Sequence, residues 1–172
     1  VKNLDGDFQL LNGNQTASLL VYYILFKSRE QGFKGNEFIA KTIVTSDILP
    51  AIAAGIGVRT YETLTGFKYI AKLIHDKEDV EKFIVGGEES YGYMIGDKVR
   101  DKDAVASCAL IAEMAAWAKA QGKSPFELLL EIYKEFGFYL ETLASITKKG
   151  QSGAEEIQNM MKKFRSNPPE QL

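Results

Sequence analysis

The chain has 172 residues, of which 45% are hydrophobic and 26% charged, values that are ordinary for a globular domain and exclude a disordered or collagen-like chain. The single cysteine excludes an internal disulfide, and the net charge of -2 offers no basic surface for nucleic acid. No apolar run reaches the roughly 18–20 residues of a membrane span. We therefore expect a cytoplasmic α/β protein that binds neither nucleic acid nor a membrane.

The first half of the chain alternates short strands with amphipathic helices. A turn at Asp5, Gly6 and Asp7 predicts a hairpin over residues 1–11, and Asn12 begins a capping sequence for a helix over 15–31. The elements predicted next are strand 38–44, helix 48–55, strand 58–63, helix 67–75 and strand 83–86. This alternation predicts a three-layer α/β domain, in which helices flank a mixed sheet of about four strands.

The second half opens with a polar loop over residues 87–103 and continues mainly as helix. An alanine-rich helix over 104–121 is apolar nearly all round, so we expect it to be well buried, with Cys108 in the core. Helix 126–136, strand 138–147 and helix 154–165 follow. In the last helix, acids in the first turn and bases in the last turn would complement the helix dipole. The strand and helix after residue 137 are expected to be an addition to the main domain.

The start of the polar loop is the most informative segment for function. It follows a predicted strand, and wound sheets bind ligands beyond the carboxyl ends of their strands. Strand alternation places Glu88 and Ser90 on one side and Glu89 on the other. A carboxylate accepts hydrogen bonds and a hydroxyl both donates and accepts, so this pair suits the adjacent hydroxyls of a sugar. If this segment stood alone, a solvated acidic turn would be the favoured interpretation.

Two further segments contain candidate binding residues. Gly66 would let the backbone approach a ligand closely, although helix capping by Thr65 explains the same pair. In the run 100–103, Lys102 could contact an anionic substrate or accept a proton, whereas a charged helix N-terminus capped by Asp103 is the alternative. Since His75 is the only histidine, histidine-based catalysis and a multi-histidine metal site have almost no support.

Three motifs in this order and spacing closely resemble the third domain of the α-D-phosphohexomutases. They are the runs ETLTGFK at 62–68, GEESYG at 87–92 and RDKD at 100–103. The resemblance is strongest to the phosphoglucomutase branch related to phosphopentomutases, and it extends over essentially the whole chain. It implies a four-domain enzyme that interconverts hexose 1-phosphate and 6-phosphate. The family uses a phosphoserine on the first domain, a bisphosphorylated intermediate such as glucose 1,6-bisphosphate, and Mg²⁺ bound by the second domain.

The resemblance also implies residue roles. Glu88 and Ser90 would hold the 3- and 4-hydroxyls of the sugar, Thr65 and Gly66 would line the ring, and Arg100 would help to bind the substrate. Lys102 would be a general base or an electrostatic stabiliser near the reacting hydroxyl. The intermediate must turn over between its two phosphates, so contacts midway between carbons 1 and 6 serve both orientations. No metal ligand is expected within these residues.

The resemblance finally implies a division of the chain. Residues 1–11 would be the last hairpin of the preceding metal-binding domain, 12–137 the sugar-binding domain, and 138–172 the first strand and helix of a phosphate-binding domain. Neither a phosphoserine loop nor a phosphate-binding loop is present in the sequence. We therefore expect a fragment that is inactive alone, with a phosphosugar and the other domains of its parent as partners. A phosphomannomutase, a phosphopentomutase and a non-catalytic sugar-phosphate-binding module remain alternatives.

Overall fold

The structure is a computed structural model, which describes residues 1–170. It divides into a first compact unit, Val1–Leu140, and a second unit that begins at Glu141. Gln171 and Leu172, the end of the predicted segment 138–172, lie outside the described residues. The assignment of residues 1–11 and 138–172 to neighbouring domains stays a prediction. The hairpin predicted over 1–11 is present in short form, with one antiparallel bridge between Lys2 and Phe8.

Four strands of the first unit form one mixed sheet. In chain order they are Glu37–Thr42 (β1), Arg59–Thr63 (β2), Lys82–Glu88 (β3) and Gly92–Ile95 (β4). The spatial order is β2-β1-β3-β4, with β1 parallel to both of its neighbours and β4 antiparallel to β3. The carboxyl ends of β1, β2 and β3 therefore meet at one edge of the sheet, the edge at which wound sheets bind ligands.

Helices cover both faces of this sheet, so the predicted three-layer α/β fold is confirmed. The helices of the first unit are Gly13–Glu30 (α1), Ile48–Ile56 (α2), Phe67–Lys77 (α3), Ala104–Ala120 (α4) and Pro125–Phe136 (α5). On one face, α1, α2, α4 and α5 pack in the larger core with Ile39 and Val85. On the other face, α3 packs in a smaller core with Phe38 and Phe83. Adjacent residues of β1 point to opposite faces, as the pleat requires.

Strand β4 lies inside the segment that the sequence predicts to be a polar loop. Its residues pair with the end of β3, for example Met94 with Gly86 and Gly92 with Glu88. The prediction missed this strand because it is only four residues long and is flanked by polar and glycine-rich sequence. Pairing with β3 and burial of Met94 against α3 stabilise it, and neither contact can be deduced from local sequence.

The prediction that the alanine-rich helix is well buried is wrong. In α4 only Ser107, Met114 and Ala118 are buried, whereas Val105 is 83% exposed and Cys108 is exposed as well. Cys108 is therefore not a core residue. The helix packs through one face against β4, α1 and α5. Its apolar composition on the remaining faces comes mostly from alanines, which cost little when they face solvent.

The strand predicted over 138–147 is also not formed. Residues 137–149 have no regular secondary structure, since a strand needs a neighbouring strand to pair its backbone groups. In the second unit, the helix Gly150–Ser166 (α6) starts one turn before the predicted helix 154–165. Its first turn consequently contains no acid, while Lys163 and Arg165 lie in its last turn as predicted. Across residues 1–170, no helix is both long and apolar enough to cross a membrane.

Glu37 provides a pH-dependent contribution to the stability of this fold. Burial raises the pKa of its carboxyl, but the backbone N–H groups of Lys34 and Gly35, both at 2.9 Å, together with those of residues 36 and 37, outweigh burial and lower the pKa below its usual 4.5. A lowered pKa in the folded state stabilises the fold above the unfolded-state pKa, and this contribution disappears as the pH falls through the folded-state pKa.

We therefore expect Glu37→Gln to lower the free energy of unfolding at neutral pH by about 1–3 kcal/mol. Between about pH 7 and the usual pKa of 4.5 the difference from the wild type should stay constant, and it should shrink as the pH falls further to about 3. Urea unfolding followed by circular dichroism over this range measures the effect. Glu135→Gln, at an exposed carboxylate of α5, is the control. A difference for Glu37→Gln that does not vary with pH would contradict the assignment.

Candidate functional site

Three loops meet at the carboxyl edge of the sheet and contain three of the six predicted site residues, Thr65, Gly66 and Ser90. They are residues 43–47 after β1, 64–66 after β2 and 89–91 between β3 and β4. The parallel order β2-β1-β3 brings these loops together, although they are far apart in the chain. Lys102, in the segment between β4 and α4, approaches the same edge, where its side chain lies against Gly92 and Phe67. We call the three loops, together with Glu88 and Lys102, the candidate site.

Glu88 connects two of these loops. It is the last residue of β3 and is only 6% exposed, and its Oε1 accepts a hydrogen bond of 2.7 Å from the backbone N of Gly66. Gly66 is the N-cap of α3 and has no side chain to cap the helix. The carboxylate of Glu88 instead pairs with the backbone N–H of Gly66, one of the donors at the helix start that have no partner within the helix. The positive end of the helix dipole favours a negative charge there. Within residues 1–170, the hydrogen bonds of this carboxylate involve Oε1, so Oε2 remains an acceptor for a ligand.

Lys102 lies beside the same helix N-terminus. Its Nζ is 5.3 Å from the ring centroid of Phe67, the first residue of α3. A Cβ atom at Gly92 would lie 3.0 Å from both the Lys102 side chain and the Phe67 ring, so a larger residue there would force one of these side chains to shift. Because Gly92 pairs with Glu88 across the β3–β4 ladder, Lys102 and Glu88 are neighbours on one face of the sheet. The geometry thus brings a carboxylate and an ammonium to one side of the edge.

Ser90 is placed differently from the sequence prediction. Strand β3 ends at Glu88 and residues 89–91 form a turn, so strand alternation does not put residues 88 and 90 on one face. Ser90 is exposed in this turn, and Tyr91 adopts a left-handed conformation with φ of 63°. The carboxylate of Glu89 accepts a hydrogen bond of 3.3 Å from Oγ1 of Thr45. The serine hydroxyl is therefore accessible from solvent at the edge, next in space to the loop after β1.

The start of α1 and the segment before it hold this turn in place. The Tyr91 hydroxyl donates to the carbonyl of Leu11 at 2.9 Å, and the Tyr93 hydroxyl donates to the carbonyl of Gly13 at 2.8 Å. Burial raises the pKa of Tyr93, which keeps this hydroxyl protonated as a donor. Gly13 itself lies directly against the carbonyl of Glu89. The two tyrosines on either side of Gly92 are the sequence signal that could have indicated contacts between this turn and the start of α1.

Arg100 lies apart from this cluster. Its guanidinium pairs with Glu78, which follows the last residue of α3, whereas Gly66 precedes the first residue of that helix. Eleven residues of helix separate the two ends by about 16 Å. Hydrogen bonds from Arg100 and His75 lower the pKa of Glu78. Arg100 therefore fastens the run 96–103 to α3, and nothing in the geometry brings it towards Glu88.

The remaining predicted residues are accounted for as follows. Thr65 is exposed in the loop before α3 and does not cap the helix, because the N-cap is Gly66, whose φ is 122°. The alternative interpretation of the run 100–103 is confirmed for Asp103, which caps α4 through its contacts with the N–H groups of Val105 and Ala106. Among residues 1–170, no cluster of three or more His, Cys, Asp or Glu side chains could hold a metal ion.

Comparison with known proteins identifies the family to which this chain is similar. Residues 12–136 match the family described as phosphoglucomutase/phosphomannomutase, alpha/beta/alpha domain III. A phosphoglucomutase of Staphylococcus aureus (strain bovine RF122 / ET3-1) is 36% identical over 167 residues, which cover 97% of this chain and 30% of the relative. The chain thus spans about a third of the length of the curated relatives that it matches.

Solved structures show the same fold. A protein of Thermus thermophilus assigned as a phosphomannomutase aligns with a TM-score of 0.60 at 23% identity, covering 81% of this chain and 30% of its own. The open form of parafusin from Paramecium, a phosphoglucomutase, aligns with a TM-score of 0.58 at 19% identity, covering 91% of this chain and 27% of its own. Together with the match over residues 12–136, the 36% identity shows that the chain belongs to the phosphoglucomutase/phosphomannomutase family, of which it contains domain III.

Proposed function

We propose that this chain is the sugar-binding part of a phosphoglucomutase that interconverts hexose 1-phosphate and hexose 6-phosphate. The observation that carries the proposal is the position of Glu88 beside Lys102 at the carboxyl edge of the sheet, where Oε2 of Glu88 can accept from sugar hydroxyls. Membership of the family and the phosphoglucomutase relatives support the same reaction class. Ser90, which is exposed in the turn directly after Glu88, would hold the neighbouring hydroxyl of the sugar.

The proposed reaction proceeds through a phosphoserine and a bisphosphorylated sugar. The phosphoryl group passes from the serine to the free hydroxyl of the substrate, and the bisphosphate returns its other phosphoryl group to the serine. Between the two transfers the sugar must reverse, so Glu88 and Ser90 would bind the hydroxyls at positions 3 and 4, which both orientations present similarly. If these contacts are stronger in the transition states than with the bound substrate, they would raise kcat.

Lys102 would act on the reacting hydroxyl. Its ammonium, beside Phe67 at the N-terminus of α3, can stabilise the negative charge that develops on that oxygen, and its neutral amine can accept the hydroxyl proton. Thr65 and Gly66 would form the wall next to the ring, since both lie in the loop joined to Glu88. Arg100 does not bind the sugar in this proposal. It fastens the run 96–103 to α3, because its partner Glu78 lies at the far end of that helix.

Mg²⁺ would assist the transfer as a Lewis acid when bound by another domain of the protein. No cluster of three or more His, Cys, Asp or Glu side chains that could hold a metal ion was found among residues 1–170. In this proposal the chain contributes sugar contacts, and the metal ligands come from another domain. A cytoplasmic location and glucose 1,6-bisphosphate as intermediate are parts of the same proposal. The partners of the chain would be the phosphosugar and the other domains of its parent.

The test compares the isolated 172 residues with the full-length protein that contains them. We expect the full-length protein to convert glucose 1-phosphate to glucose 6-phosphate in a coupled assay with Mg²⁺, and the isolated chain to show no turnover. Parallel assays with mannose 1-phosphate and ribose 1-phosphate would identify a phosphomannomutase or a phosphopentomutase. Turnover by the isolated chain, or no activity of the full-length protein on any of these sugars, would contradict the proposal.

A further inference from the structure

Lys41, at the end of β1, has an environment that the proposed reaction does not explain. Its side chain is 1% exposed, although lysine is almost never fully buried without partners. The Nζ atom contacts Oδ1 of Asp47 at 2.9 Å, Oε1 of Glu62 at 3.1 Å and the carbonyl of Thr45 at 2.9 Å. Three donors thus meet three acceptors, and the ammonium is fully satisfied.

The three acceptors lie on two chain segments at this edge of the sheet. Thr45 and Asp47 lie in the loop after β1, while Glu62 lies in β2 opposite Lys41, three residues before Thr65. A single ammonium therefore joins the loop after β1 to the strand that ends in the loop 64–66. The backbone bond from Ile43 N to the carbonyl of Thr63, at 2.9 Å, joins the same two chain segments.

Thr45 extends the connection to the third loop. Its Oγ1 is 2.8 Å from Oγ1 of Thr42 and donates to the carboxylate of Glu89 at 3.3 Å. Glu89 is the first residue of the turn that contains Ser90. The network that begins at Lys41 thus reaches both sides of the sugar site, the Gly66 loop through Glu62 and the Ser90 turn through Thr45.

We propose that Lys41 is a positioning residue that fixes the loop 64–66 and the turn 89–91 relative to each other. The side chain is too buried to touch a substrate, so it acts through Glu62 and Thr45. Asp47 and Glu62 are 74% and 49% exposed, which means that water can solvate them when the lysine is removed. Loss of the ammonium should therefore change mainly the positions of the loops. An apolar residue of similar length can fill the buried space.

The backbone N–H of Gly66 reports this geometry directly, because it donates to Glu88 across the site. In the full-length protein, Lys41→Met should speed hydrogen exchange of the Gly66 amide about tenfold more than that of the core amide of Val85, which exchanges by larger openings. Lys72→Met removes an exposed lysine paired with Asp76 on α3 and should leave the ratio unchanged. Equal acceleration at both amides would show that Lys41 only stabilises the fold, and would overturn the proposal.

A second variant separates the two arms of the network and remains informative if Lys41→Met folds poorly. Glu62→Gln weakens only the arm to β2, so the Gly66 amide should exchange faster while the Ser90 turn keeps its contact through Thr45. We expect Lys41→Arg, which retains the charge, to recover part of the protection that Lys41→Met loses. No change at Gly66 in Glu62→Gln would refute the role of this arm.

The effect of Lys41 on catalysis rests on the proposed function, whereas its effect on the positions of the loops does not. Kinetic measurements distinguish the positioning role from the proposed function. If both hold, Lys41→Met should lower kcat/KM for glucose 1-phosphate about tenfold, mainly through KM. Faster exchange at Gly66 with unchanged kcat/KM would leave the positioning role intact and would count against these loops as the sugar site. Unchanged exchange overturns the positioning role whatever the kinetics show.

Discussion

Replacing Glu88 by glutamine in the full-length protein is expected to lower kcat/KM for glucose 1-phosphate by about ten- to a hundredfold, the factor that corresponds to losing a hydrogen bond to a charged group. The amide oxygen of glutamine can still accept from Gly66 N, so the fold and the start of α3 should be retained. The other end of the side chain becomes an NH₂ donor in place of Oε2, and it no longer accepts from the sugar hydroxyls. Steady-state kinetics on both hexose phosphates measure the loss.

The same strand provides the control. Glu81 directly precedes β3, is largely buried, and pairs with Arg59 and Lys77 at the end of the strand away from the site. Glu81→Gln should lower the midpoint of thermal unfolding without changing kcat/KM. If Glu88→Gln kept full activity, the carboxylate would be only a cap for α3, and the chain would be better explained as a non-catalytic module.

Gly13→Ala is expected to destabilise the first unit by about 3 kcal/mol, because it forces a side chain into backbone that cannot move easily. A Cβ atom at Gly13 would lie 2.6 Å from the carbonyl carbon of Glu89 and 3.1 Å from the backbone N of Tyr91. Alanine is the better helix former, so helix propensity would by itself predict the opposite sign. Urea unfolding followed by circular dichroism measures the difference in free energy.

Gly6→Ala is the matched control for this substitution. Gly6 has a φ of 87° and nothing within 4 Å of its added Cβ, so its replacement introduces backbone strain without a clash. We expect a loss of at most about 1 kcal/mol. If the clash at Gly13 pushes the turn 89–91 outwards, kcat/KM should fall as well, since Ser90 lies in that turn. A Gly13→Ala protein as stable as Gly6→Ala would show that α1 does not pack closely on the turn.

Helices with clear caps and periodic apolar faces were predicted correctly from the sequence. Helix α1 begins after Asn12, which forms the reciprocal capping contact with Gln15, and α5 begins after Ser124 with the same arrangement. These signals are local, because the side chain and the backbone group that it caps lie three residues apart. The alternation of strands and helices likewise predicted the layered fold, although not the bounds of every strand.

Predictions that required a partner from a distant segment were wrong or incomplete. Strand β4 exists through its pairing with β3, and residues 138–147 form no strand because an alternating pattern alone supplies no neighbour. Cys108 is exposed because only one face of α4 packs against the sheet and the neighbouring helices. Arg100 was grouped with Lys102 because they are two residues apart, whereas their side chains contact opposite ends of α3.

The sequence by itself determined the fold class, the caps at Asn12 and Asp103, and the set of polar residues that carry the family resemblance. Only the tertiary structure decided that Glu88 accepts from Gly66, that Lys102 lies over Phe67, and that Lys41 is buried among three acceptors. The physical reason is that helix periodicity and capping act over three or four residues. Hydrogen bonds across the edge of a parallel sheet instead join residues twenty or more positions apart, and their partners depend on strand order and register.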